Sequence, residues 1–251
     1  MPKFFIKDKQ IYNDRIDIQG EDINHIKNVL RMKINDEILV ANEDNGMNYK
    51  AKIASFERDK IICLIQEEFK GNVESNVKIS LYQGFPKFDK FEYIIQKCTE
   101  VGVNEFIPVK MKRTIVKFNE KDLDKKLERF NKIAEIASKQ SLRDIVPQVR
   151  NVIDYKNLVE EFKSYDLVLV AYEEEKDNTL KNVLREFEQN NKNEEYKIAI
   201  LIGPEGGIDK DEIDQIKSLE NVKVVTLGSR ILRTETAPIV ISSQVIYELE
   251  K

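Results

Sequence analysis

The chain has 251 residues, 41% of them hydrophobic and 34% charged, with a formal net charge of −4. This composition excludes a disordered chain, and no apolar run approaches the ~20 residues of a membrane span. Cys63 and Cys98 lie far apart without CxxC spacing, which argues against a disulfide framework or a zinc site, so no metal is expected.

The charge is unevenly spread. Residues 1–70 hold 12 basic and 13 acidic side chains, residues 71–150 hold 16 and 11, and residues 151–251 hold 13 and 21. A basic middle segment in an acidic chain reads either as a localised phosphate-binding face or as solvated lysines scattered over helices. The N-terminal Met1-Pro2-Lys3-Phe4-Phe5-Ile6-Lys7 lacks the apolar core and small-residue site of a signal peptide, so a cytoplasmic protein is expected.

In chain order, short alternating runs at 37–41, 48–53 and 60–65 are separated by turn-formers such as Asp44-Asn45-Gly46. They predict a small, mostly antiparallel β unit, a barrel. Ile23, Ile26, Val29 and Leu30 suit one or two helical turns between strands. The polar, turn-rich stretch 71–76 places a domain boundary there, giving domains 1–72 and 73–251. Beyond it, strands are predicted at 78–83, 105–109, 166–171, 197–202 and 222–227. Helices are predicted at 89–101 and 119–140, the second with Leu123, Leu127, Phe130, Ala134 and Ala137 on one face. The polar stretch 188–195 suits a loop or a fraying helix end. This alternation predicts an α/β domain with a mostly parallel sheet covered by helices on both faces.

Two strand-to-helix corners concentrate the chemistry. One is Ile202-Gly203-Pro204-Glu205-Gly206-Gly207, and the other runs from Leu227-Gly228-Ser229-Arg230-Ile231-Leu232 through Arg233-Thr234-Glu235-Thr236-Ala237. Open α/β sheets bind ligands at such corners. The first has neither a Lys-Ser/Thr pair nor GxGxxG spacing, and Glu205 would repel a phosphate, so a nucleoside or amino-acid group suits it better. A tight turn with no ligand is the alternative. Asp209 and Glu212 are spaced to cap the following helix.

Taken with their order and spacing, these residues resemble the bacterial 16S ribosomal RNA uridine-N3 methyltransferase family, of the SPOUT class. The likeness is carried by His25-Ile26-Lys27-Asn28-Val29-Leu30-Arg31, by Lys90 with Gln96-Lys97-Cys98-Thr99-Glu100-Val101-Gly102-Val103, and by Gln140-Ser141-Leu142-Arg143 with Val146-Pro147. Both corners complete it. The resemblance implies a PUA-like β-barrel that holds RNA, followed by a knotted SPOUT methyltransferase domain that pairs into a homodimer. It implies an S-adenosyl-L-methionine pocket drawing on Ala171, Tyr172, Ile202, Gly203, Gly207, Leu227, Gly228, Ile231, Leu232, Thr236 and Ala237. The implied substrate is 16S rRNA, on the small ribosomal subunit.

Methylating N3 requires losing its proton, and the only histidine, His25, lies in the N-terminal domain, where a structural role or an RNA contact is expected. Arg233 is the candidate for stabilising the uracil anion or holding a phosphate, with pairing to Glu235 or to a partner subunit as the plain alternative. Glu205 and Glu235 are candidate proton acceptors, or braces for their loops. Candidate RNA contacts are Arg31, Lys33, Lys87, Lys97, Arg113 and Arg143. Three residues depart from the family pattern: Asn35 and Phe88 stand where glycine is usual, and Pro238 where a helix former is usual. The rival readings are a noncatalytic RNA-binding factor, a dinucleotide-dependent oxidoreductase, and a SPOUT enzyme that methylates another position such as a ribose hydroxyl.

Overall fold

Alternation of apolar and polar residues builds the N-terminal sheet of the computed structural model, which describes residues 1–116 and 120–251. Strands β1 (Lys3–Ile6), β2 (Ile11–Tyr12), β3 (Arg15–Ile18), β4 (Glu37–Asn42), β5 (Met47–Phe56) and β6 (Ile61–Lys70) pair in the order β1-β4-β5-β6-β3-β2. All pairs are antiparallel except β1 on β4. Ile38, Val40, Ala51, Ile53, Ile61 and Cys63 turn to one face and are fully buried with Phe4, Ile16 and Ile26. Register shifts at Lys50/Ala51 and Ile53/Ser55 interrupt the long β5–β6 ladder, and such bulges bend and twist a strand.

The helical stretch predicted at 22–31 is α1 (Glu21–Asn24) running into a π turn over His25–Val29, closed by the Leu30 N–H on the His25 carbonyl at 2.9 Å. Asn35 adopts φ 74°. Asparagine is among the few non-glycine residues that tolerate the left-handed region, so its presence in place of the family's glycine costs little.

Contacts divide the chain into two compact units, Met1–Glu74 with Ser138–Val146, and Ser75–Ala137 with Pro147–Lys251. The sequence reading of one crossing at 72/73 did not include the return of 138–146 to the first unit. Side-chain pairing explains that return. Asp144 receives the Lys3 ammonium at 2.5 Å and the Asn48 amide at 2.8 Å. Arg143 grips Glu74 through Nε at 3.2 Å and Nη2 at 2.6 Å. A Cβ on Gly71 would stand 2.1 Å from Asp144 Oδ2, so only glycine lets the strap lie this close.

In the second unit, β7 (Val77–Gly84), β8 (Glu105–Lys110), β9 (Gln148–Val149), β10 (Ile153–Asp154), β11 (Leu167–Ala171), β12 (Tyr196–Ile202) and β13 (Val222–Val225) form a parallel sheet. Its order is β10-β8-β7-β12-β11-β13, with β9 also on β8. The helices are α2 (Phe88–Val101), α3 (Glu120–Gln140), α4 (Leu158–Phe162), α5 (Leu180–Asn190), α6 (Lys210–Ile216) and α7 (Ala237–Leu249). The predicted start of α3 at Asn119 lies outside the described residues. Leu158, Phe162, Ile213 and Ile216, from α4 and α6, pack with Val168, Val170, Ala199 and Leu201 on one face. On the other side α7 packs on β7, β12, α2 and α5. Central strands covered on both faces read as continuous apolar runs, which is why Leu167–Ala171 and Tyr196–Ile202 were visible in the sequence.

Pro238 sits in the first turn of α7, where its missing N–H has no helical partner to lose. Phe88 opens α2, its ring edge-on to Phe85 at 5.6 Å with Lys126 3.6 Å above it. Both cysteines are buried; burial pushes the Cys63 thiol up to about 12 and also raises Cys98, so both remain protonated.

Candidate functional site

Strand register brings four strand ends to one edge of the parallel sheet. Ala171 lies beside Ile202 and Val225, and Ile202 lies beside Gln83. β7 and β12 lie side by side, and the chain leaves β7 toward β8 but leaves β12 toward β13 on the opposite side, so loops leaving this edge diverge and open a crevice. A cavity of about 730 Å³ occupies it.

Of the residues expected from the sequence to bind cofactor, Ala171, Tyr172, Ile202, Gly203, Gly207, Leu227, Gly228, Ile231, Leu232 and Ala237 line this cavity. Thr236 does not; it is exposed at the start of α7 with no side-chain cap bond. Its near neighbour Thr234, absent from the expected set, is buried on the wall. Thr234 Oγ1 donates to the Gly203 carbonyl at 2.7 Å and accepts from Gln83 Nε2 at 2.9 Å. Gln83, fully buried at the end of β7, also donates to Gly203 and Gly84 carbonyls at 3.2 Å. Both corners are thus tied together beneath the cavity floor.

Backbone conformation keeps the wall thin. Gly207 has φ +73°, and a Cβ there would stand 2.2 Å from Glu173 Oε1. Gly228 has φ +114° with nothing within 4 Å of a Cβ. Among the described residues, no backbone N–H from Ser229 to Arg233 makes a hydrogen bond. Ile202, Leu227 and Leu232 add apolar surface. Glu173, Glu175 and Glu205 add carboxylates, and Lys90, Lys176, Arg230 and Arg233 add cations. Glu175 is held below the usual carboxylate range by backbone N–H bonds from Asn178 and Asp177, with Lys176 adding a third. Tyr172 is pushed up by burial and by neighbouring Glu174.

Lys90, quoted in the sequence motifs but given no role, spans both corners. Its Nζ stands 3.2 Å from Glu235 Oε2 and 3.6 Å from Glu205 Oε1. Glu205 Oε1 also accepts the Lys87 N–H at 3.2 Å. The plain alternative for Arg233, a pair with Glu235, is therefore not formed: Glu235 faces Lys90, and Arg233 is exposed. Sequence spacing does not reveal Lys90, because α2 reaches the corners only through the packed sheet.

The proposed RNA contacts fall into two groups. Arg31, Lys33 and Lys87 are exposed, and Arg31 projects from a left-handed residue at φ 54°. Lys97 pairs with Glu100 at 2.9 Å. Arg113 is exposed but bound to the Gly206 carbonyl at 3.1 Å and to Asp209 at 3.2 Å, steadying the glycine corner. Arg143 corrects the expectation. It is only 5% exposed and locked onto Glu74, so it braces the first unit instead of facing RNA. His25 stacks edge-on to Phe4 at 6.1 Å within that unit. Asp209 and Glu212 form the expected reciprocal cap of α6. Among the described residues no group of three or more His, Cys, Asp or Glu is placed to hold a metal ion, and no helix is long and apolar enough to cross a membrane.

A parallel α/β sheet with a two-corner crevice, preceded by a curled β domain, is the arrangement that two RNA methyltransferase family models cover. Residues 73–246 match the family model of the RNA methyltransferase domain, and residues 18–66 match the RNA methyltransferase PUA domain. The chain belongs to the family of Ribosomal RNA small subunit methyltransferase E. The relative of that name from Bacillus subtilis is 37% identical over 235 residues, 93% of this chain and 90% of the relative. The one from Mesomycoplasma hyopneumoniae is 33% identical over 98% of this chain and 99% of its own. A crystal structure of the Neisseria gonorrhoeae protein of that name, bound to S-adenosyl methionine, superposes with a TM-score of 0.84 at 28% identity, covering 98% of this chain and 97% of that one.

Proposed function

We propose that this chain transfers a methyl group from S-adenosyl-L-methionine to N3 of one uridine of 16S ribosomal RNA, on the small subunit, in the cytoplasm. The observation that carries the reading is the single cavity into which the two corners bring their glycines, apolar walls and unspent backbone donors. The residues fit the cofactor. Ile202, Leu227 and Leu232 offer apolar walls to a planar base, and the N–H groups of 229–233 offer donors to its edge. Glu173 and Glu175 offset positive charge.

When bound, the cofactor supplies an electrophilic methyl group. The chain's own residues bind it, exclude water and bring the uracil edge to it, which converts a bimolecular step into a positioned one. Arg233, exposed beside the cavity, holds an RNA phosphate or the developing uracil anion. N3 lies on the pairing edge of the base, so the target is unpaired or flipped out of its helix. Exposed Arg31, Lys33 and Lys87 are the candidates for RNA backbone contacts, with Lys97 and Arg113 contributing where their intramolecular pairs permit.

The same reading includes a trefoil knot and a homodimer. The segment after β13 leaves the sheet edge and returns to α7 on the central strands, pinned at Thr234. That path suits a threaded chain. α7 is apolar over most of its surface, yet Tyr247 on it is 87% exposed, which suits a partner subunit.

The test uses 30S subunits from a strain lacking the enzyme, incubated with purified protein and cofactor, with the product nucleoside identified by mass spectrometry. N3-methyluridine is expected. A ribose-methylated product would replace the reading with its nearest rival, and absence of calorimetric cofactor binding would remove the enzyme reading.

A further inference from the structure

Resting on that reading, we infer that Lys90 and Glu205 form a dyad that recognises the imide edge of the target uracil and takes its N3 proton. Both residues line the cavity, and both are withdrawn from bulk water, with side chains 23% and 21% exposed. The Lys90 ammonium is held between Glu205 and Glu235 by charge, at 3.6 and 3.2 Å. Among the described residues it donates no well-directed hydrogen bond, so its N–H groups remain available to a guest. Glu205 spends Oε1 on the Lys87 N–H and on Lys90, whereas Oε2 has no described partner.

An ammonium donor beside a carboxylate acceptor is the complement of adjacent C=O and N3–H groups. Uracil carries that pair on its pairing edge. Cytosine presents an amino donor and an unprotonated N3 there, so its donor would meet Lys90 and its acceptor would meet Glu205. A site whose polar groups are left unpaired by the wrong base rejects it strongly. In the proton step, the N3–H bond breaks and an O–H bond forms on Glu205. The electron pair stays on N3, its negative charge spread over the neighbouring carbonyl oxygens that Lys90 contacts. Glu235 keeps Lys90 charge-balanced while Glu205 is protonated, and solvent then removes the proton. The charged groups around Glu205 are Lys87 from the β7–α2 turn, Lys90 from the first turn of α2, Glu235 across Lys90, and Arg113 beside Gly206, with Arg233 and Glu173 lining the same cavity.

The experiment compares wild type with Glu205→Gln and Lys90→Met in full-length protein. Thermal melts and calorimetric S-adenosylmethionine binding are followed by single-turnover methylation of unmodified 30S subunits from about pH 6 to 9. Expected are a wild-type melt for Glu205→Gln, a lower melt for Lys90→Met because Glu205 and Glu235 lose their shared cation, and cofactor affinity within about threefold in both. The methylation rate should fall about 100-fold or more at neutral pH, the usual scale for a lost general base. The rate of Glu205→Gln should then rise roughly tenfold per pH unit as uracil ionises unaided, more steeply than wild type, and Glu205→Asp should restore part of the neutral rate. A Glu205→Gln profile parallel to wild type, unchanged rates, or equal loss of cofactor binding and rate in both variants would overturn the dyad. The wild-type product separates the two layers: a product other than N3-methyluridine removes the functional reading, whereas N3-methyluridine made by a fully active Glu205→Gln removes only the dyad.

Discussion

Replacing Thr234 by valine tests whether the tie beneath the cavity holds the two corners together. Valine keeps the β-branched shape and removes one hydroxyl. Two hydrogen bonds disappear, the 2.7 Å bond donated to Gly203 and the 2.9 Å bond accepted from Gln83. Each is worth about 1 kcal/mol net. Gly203 retains the Gln83 amide at 3.2 Å, so its carbonyl is not orphaned and the larger penalty for an unsatisfied buried group is avoided. The added methyl returns at most about 0.8 kcal/mol. The expected loss of unfolding free energy is therefore about 1–2 kcal/mol, read as a lower urea midpoint at constant slope. Because the loosened segment forms one cavity wall, cofactor affinity measured by calorimetry should weaken about tenfold. Thr236→Val, two residues on, is the control. Its hydroxyl is exposed and caps nothing, so stability should change by under about 0.5 kcal/mol. Equal stability and equal cofactor affinity in both variants would refute the tie.

Three further outcomes are expected. Arg233→Ala should lower methylation about 10²–10³-fold, the scale of a lost anion-stabilising group, with the melting midpoint unchanged; a fully active variant would exclude it from the reaction. Arg143→Ala should cost about 2–3 kcal/mol in denaturant unfolding, because the partly buried Glu74 loses its cation and keeps only the Asp144 and Ile145 N–H bonds; a selective loss of RNA binding without loss of stability would return Arg143 to the RNA surface. Burial, the largest influence on Glu161, raises its carboxyl, but hydrogen bonds from Arg150 and Tyr82 and the Arg150 charge outweigh it and hold the group below its ordinary value. Its stabilisation is complete above the unfolded value of about 4.5 and is lost as pH falls through the lower folded value. Unfolding of Glu161→Gln followed by circular dichroism should show a flatter acid limb than wild type, and identical limbs would contradict the assignment.

The strands of the second unit were legible because central strands of a parallel sheet are apolar on both faces, and the corners because glycines and charged residues cluster after two of them. What stayed hidden depends on where side chains spend their bonds. Thr234 and Thr236 look alike in sequence, yet one pins the corner and the other faces solvent. Arg143 lies in a family-like basic motif, but Glu74, far back in the chain, claims its guanidinium. Lys90 precedes the corners it joins by more than a hundred positions, and periodicity carries no information about that meeting. In the first unit, β1, β2 and β3 are two to four residues long, too short for an alternating pattern to stand out.

The strap at 138–146 bears on how the chain is made. Lys3 and Asp144, which meet in the first unit, are 141 positions apart. Domains commonly fold in order as they leave the ribosome. Here the N-terminal unit waits for its last piece until all of α3 has been synthesised. A fragment cut at the apparent linker near residue 72 would carry Lys3 and Asn48 without Asp144. Such a fragment is a poor stand-in for the RNA-binding half, whereas an expressed piece that retains the strap keeps the unit whole.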